Sequence, residues 1–173
     1  MQTSSIPTYS TKTLLQELRT PELFVVMLIR LRAAAAHDPQ RQYESWQQGL
    51  TAAGVSRDGS NAFDMLMQLL TLVLHWPLDV RSLRCGGLGE AEAWLLQAIS
   101  LAQHDRIEAA ESILSHWLPP GVSRIAAQHM ARFAKALIST SLVIPLRHCN
   151  AAQLEAVMDM TSNRWLNAGA LIS

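Results

Sequence analysis

Three glycines fall within four positions in RCGGLGEAEAWLLQA, residues 84–98, directly ahead of a run with helical apolar spacing. A glycine-rich turn feeding a helix is one way to hold phosphate, because backbone N–H groups and the helix dipole both favour an anion there. The match to either phosphate motif is incomplete. A dinucleotide fingerprint needs three glycines for close backbone approach, and here Gly87 and Gly89 fill two positions while Glu92 stands at the third. No Gly-Lys-Ser or Gly-Lys-Thr follows, as a P-loop would require. Glu90 and Glu92 also fall in the first helical turn, where carboxylates satisfy the dipole and repel anions. The stretch therefore reads as a turn at Gly86 and Gly87, with Gly89 as N-cap and Glu92 in the capping-box position. No cofactor is expected.

Other reactive patterns are sparse. Histidines at 37, 75, 104, 116, 129 and 148 contain no pair at helical metal-ligand spacing, and Cys85 and Cys149 form no CxxC, so neither a metal site nor a disulfide framework is expected. No G-x-S-x-G elbow occurs and no catalytic residue is assigned. One polar set does recur on a helix: Asp64, Gln68, Thr71 and His75, spaced four, three and four residues apart. Such a stripe either faces water or turns inward, where its members would need mutual hydrogen bonds and could line a pocket.

Charge bounds the partners. Fourteen basic and fourteen acidic residues cancel, so no global field draws the chain to nucleic acid or an anionic membrane. Locally the balance breaks. Glu90 to Glu111 holds five acids and one arginine, whereas Ser112 to Leu154 holds Arg124, Arg132, Lys135 and Arg147 and no acid. Arg124, Gln128, Arg132 and Lys135 share a helical face, either a solvated complement to the acidic hairpin or a docking face for a protein. No aromatic residues interleave with them as a nucleic-acid stacking platform requires.

The elements that must position these residues are helical. Thr13 and Gln16 suggest a short capped helix ending near Arg19. Thr20 as N-cap and Pro21 inside predict a helix to about Ala36, and Asp38 and Pro39 open another that closes at Gly54. VSRDGSN reads as a turn, and residues 62–76, apolar nearly all round, as the central helix. An extended connector precedes a hairpin of helices over 90–103 and 106–118, the second capped by Asp105 with Glu108. PPG ends that pair. Ser123 then caps a helix to about Thr140 that buries Ala126, Met130, Phe133, Ala134, Leu137 and Ile138, and Asn150 begins a last one carrying Trp165, a candidate interface residue.

The fold expected is all-α: one domain over residues 1–173, a compact array of seven to eight helices, with residues 1–12 as a poorly ordered arm. The chain is 49% hydrophobic but only 16% charged, below the roughly 25% of an average soluble domain. Some apolar surface is thus expected to meet a partner. The start lacks a secretory pattern, and no apolar run reaches the roughly 20 residues of a membrane span, which places the chain in the cytoplasm. The function expected is a non-enzymatic interaction or assembly protein, such as an adaptor, chaperone-like or accessory factor, self-associating or bound to a protein partner. The alternative is a small-ligand or regulatory domain with a pocket beside the 64–75 stripe.

Overall fold

The computed structural model describes residues 9, 12–41, 45–74 and 78–147. The chain divides into two units, Ser10–Leu146 and Met1–Tyr9 with Arg147–Ser173. Of the second unit, Tyr9 and Arg147 are described, with the guanidinium 4.7 Å from the ring centroid. The first unit holds a 3-10 turn, Leu15–Glu17, and six α-helices: α1 Thr20–His37, α2 Trp46–Ala52, α3 Arg57–Val73, α4 Glu90–Gln103, α5 Ile107–Leu114 and α6 Pro120–Ser139. Among the described residues the all-α class is correct. Seven or eight helices were expected, and the one starting at Asn150 lies outside the described residues, as does most of the arm.

Several boundaries differ from the sequence reading, each for a local reason. The first capped element is only a 3-10 turn, with Glu17 rather than Gln16 accepting from a backbone N–H, that of Leu14 (2.6 Å). Arg19, not Thr20, is the N-cap of α1, because buried Glu22 reaches back to the Arg19 N–H at 2.7 Å. The helix expected from Asp38 is shorter and capped by Ser45 as α2, and Gly54 closes it in the left-handed region, φ +79°. Asp105 does not cap α5. It takes φ +59° in the reversal between helices, and Arg106 precedes α5 without a side-chain cap. The PPG stretch starts α6 instead of ending the hairpin, since proline fits the first helical position, and Ser123 lies one turn inside with its hydroxyl donating to the Pro120 carbonyl.

The largest correction concerns VSRDGSN, which from Arg57 onward is the start of α3 and not a loop. Ser56 caps it by accepting from Gly59 N–H at 3.1 Å. Gly59 is helical because α6 passes directly over it: a Cβ there would fall on the Ala136 Cβ. Gly54 beside Thr140, Gly59 beside Ala136 and Phe63 against Phe133 show that α3 and α6 run antiparallel. Substituting Gly59→Ala should therefore destabilise the fold by about 1–3 kcal/mol by overpacking, although alanine is the better helix former by about 1 kcal/mol. Pairing it with Ala136→Gly should restore most of the loss. Urea midpoints of the two variants check this, and a neutral single substitution would contradict it.

Nor is α3 the central apolar helix. It buries one face, Ala62, Phe63, Leu66, Met67 and Leu70, while Met65 and Leu72 point outward, Leu72 at 79% exposure. The helix enclosed on most sides is α4, packed against α1, α5 and α6, with Leu95, Leu96, Ala98 and Ile99 buried. On α6 the expected face is buried except for Ile138, which is exposed. Trp94 is half-buried and stacks on His116 at 6.3 Å between centroids.

A cationic groove as the candidate functional site

The glycine loop is tied down by one arginine. Arg30 lies midway along α1 in an otherwise apolar stretch and is fully buried. A charge there requires an ion-pair partner and hydrogen bonds for every donor. Its Nε donates to Glu92 Oε1 at 2.7 Å and its Nη2 to Glu92 Oε2 at 2.9 Å. Nη1 donates to the carbonyls of Ser82 (3.1 Å) and Cys85 (2.6 Å), and Nη2 also to that of Gly87 (2.7 Å). All five guanidinium N–H groups are thereby used. Glu92 accepts two more bonds, from Arg81 N–H at 3.0 Å and Gly89 N–H at 2.8 Å.

This knot answers what the glycines are for. Gly89 caps α4 in the manner its sequence implies, with Glu92 closing the box, and a Cβ at Gly89 would fall on the Asp79 carbonyl oxygen. The next N–H, that of Glu90, donates to Asp79 Oδ2 at 3.0 Å. The positive end of α4 thus meets two carboxylates of its own chain. The loop's outer side is held by Leu15 N–H to the Gly86 carbonyl (2.8 Å) and Leu88 N–H to the Thr13 carbonyl (2.9 Å).

The anchored loop forms one wall of a half-open groove of about 900 Å³, whose other walls are the C-terminal halves of α1 and α3. Its floor is apolar: Ala33, Met67, Leu70, Leu74, Leu78 and Leu83. The described lining also holds the buried Arg30 and the rim residues Arg32, Arg41, Arg81 and Arg84, with His37 beside them and no carboxylate among the described lining residues. The ionisable side chains that line it are thus basic, three of them paired with carboxylates set outside the lining.

Comparison with known proteins finds no matching family model, curated protein or solved structure. The groove must be read from its own chemistry.

The polar stripe meets this groove only at its edge. Asp64 accepts from Arg32 Nε at 2.7 Å and from Gln68 Nε2 at 2.9 Å, a half-buried link between α3 and α1. Thr71 is exposed and donates to its own helix at the Met67 carbonyl, yet it lines the groove, as does Arg32. His75 lies outside the described residues. On α6, Arg124, Gln128, Arg132 and Lys135 are all exposed, and Arg124 approaches Glu111 of α5 at 3.9 Å. Such an exposed pair contributes little. Cys85 is half-buried, while His148, Cys149 and Trp165 lie outside the described residues. Among the described residues no three His, Cys, Asp or Glu side chains are grouped to hold a metal, and no helix is long and apolar enough to cross a membrane.

Sequence reasoning missed Arg30, Arg81 and Arg84. The available signal was Arg30 itself, a charge inside LFVVMLIRLRAAAA that demands a carboxylate from elsewhere.

One titration is built into the core's edge. Burial, reinforced by Arg132 and opposed by Asp58, lowers the His129 pKa from its ordinary 6.5, and its Nδ1 is buried without a hydrogen-bond partner among the described residues. The unfolded chain therefore takes up this proton first as pH falls, so the contribution is intact above pH 6.5 and lost below it. Melting temperatures between about pH 8 and about pH 5 should fall less steeply for His129→Gln than for the parent. Parallel slopes would show that His129 does not matter.

Proposed function

We propose that the chain is a non-enzymatic helical interaction module, an adaptor or accessory factor in a cytoplasmic assembly, which receives a polypeptide partner in the groove between α1, α3 and residues 78–84. The observation that carries this reading is the combination of an apolar floor with a rim of one sign. Apolar area supplies the free energy of association, and rim charge selects and steers the partner. The low charged fraction, 16%, agrees with it. Self-association belongs to the same proposal, with the exposed Ile125 and Ile138 beside Arg124, Gln128, Arg132 and Lys135 as a second contact face.

A photo-crosslinking amino acid at Ala36, exposed on the groove lining, tests the reading in cells of the source organism. Polypeptide adducts are expected. A chain that sediments as a monomer at every concentration and gives no polypeptide adduct from position 36 would overturn it.

A small anionic ligand in the same groove is the second reading. It is favoured by the volume, within the roughly 300–1,000 Å³ of small-molecule sites, and by the Thr71 hydroxyl and Arg32 beside the Asp64 link. Thermal stabilisation by a class of anionic metabolites would favour it over the first.

A further inference from the structure

We infer that the groove's occupant is an amphipathic helix with carboxylates along its flanks, an inference that rests on the groove being a polypeptide-docking surface. Two observations point there independently, one from backbone chemistry and one from charge.

A strand-like peptide gains affinity from an exposed sheet edge, because its main-chain groups pair with those of the receptor. Among the described residues no strand lines this groove. The backbone N–H groups that α1 and α3 bring to the groove bond within their own helices. In the loop wall, the Arg81 N–H is given to Glu92, and the Ser82 carbonyl accepts from both Arg30 and the Cys85 N–H. An occupant must bring its own satisfied backbone, and a helix does so. The wall that α1 contributes, Arg30 to His37, spans two helical turns, about 10 Å. That length suits apolar anchors spaced i, i+3 or i+4, and i+7 on the visiting helix.

The charge argument concerns where the chain's own carboxylates are spent. Glu92, Asp64 and Asp79 pair with Arg30, Arg32 and Arg81 respectively, and none of the three carboxylates lines the groove. Arg84 is exposed on the rim and has no ion pair among the described residues. Arg84 therefore leaves positive charge on the loop wall that complements acidic flanks and repels basic ones. The Arg30 knot holds that wall before anything binds, so little ordering cost falls on the partner.

Labelled synthetic peptides test the inference by fluorescence anisotropy against the full chain. One helix of about 18 residues carries Leu at the anchor positions and Glu on the flanks. A second has Lys in place of Glu, and a third keeps the acidic composition but scrambles the apolar spacing. The expected result is binding of the first, at least about tenfold weaker binding of the other two, and loss of the preference as salt rises from about 50 mM to about 300 mM. The double substitution Arg81→Glu with Arg84→Glu should invert the preference between Glu and Lys peptides. Equal binding of Glu and Lys peptides overturns the charge claim, and equal binding of the scrambled peptide overturns the helix claim. Binding of none, with polypeptide adducts still formed from Ala36, overturns both claims and leaves the docking function standing. Absence of those adducts as well removes the docking function itself.

Discussion

Glu92→Gln should lower stability by about 3–5 kcal/mol, the range for breaking a buried pair by removing one charge. The substitution is nearly isosteric, so packing does not explain the loss. Each of the four bonds to this carboxylate comes from an N–H: two from Arg30, one from Arg81 and one from Gly89. A carboxylate accepts at both oxygens. An amide presents donors on one side, where they would face either a guanidinium N–H or a backbone N–H, and it leaves the arginine charge buried without compensation. Replacing both partners by apolar residues often costs nothing in a buried pair, but not here. Arg30→Met with Glu92→Leu would still orphan the carbonyls of Cys85 and Gly87 and the N–H groups of Arg81 and Gly89. Urea unfolding of the single and double variants checks this, and a Glu92→Gln variant within about 1 kcal/mol of the parent would refute the account.

Phe133→Ala is the second large loss expected, about 3–5 kcal/mol for a fully buried aromatic. Phe133 is completely buried on α6 and sits 4.9 Å from Phe63 of α3 between ring centroids, and Phe63 in turn meets the Trp46 ring of α2 edge-on at 5.5 Å. One truncation opens a cavity where three helices converge. Because Gly59 and Ala136 already bring α3 and α6 close together, that pair has little freedom to collapse into the space, which favours the upper half of the range. Phe133→Leu, which keeps most of the volume, should cost much less. Equal losses for the Ala and Leu variants in thermal or urea unfolding would argue against a cavity.

What could be read from the sequence was what depends on neighbours along the chain. The apolar periodicity placed all six α-helices, and Glu92 sits where the capping pattern Gly89-x-x-Glu92 puts it. The boundaries that moved did so where a distant element decides. Gly59 looked like a turn residue because glycine is a poor helix former, yet its place in α3 is set by Ala136, far along the chain. Ser123 looked like a cap because serine favours caps, but Pro120 one turn earlier already suits a helix start. Asp64 and Gln68 were legible as a stripe, whereas their partner Arg32 comes from α1, and spacing within one helix carries no information about the next. The groove was the least legible feature, since its lining is drawn from α1, α3 and the loop, and only the fold brings them together.

The Arg30 knot has a consequence for how the groove opens. Seven hydrogen bonds converge on two side chains that are 62 positions apart in the chain. Five backbone carbonyl or N–H groups of the loop cannot be released one at a time without leaving a buried charge uncompensated, so the loop wall either holds or lets go as a unit. Thermal motion then leaves the groove with few intermediate widths, and a partner that binds it meets one shape rather than a continuum.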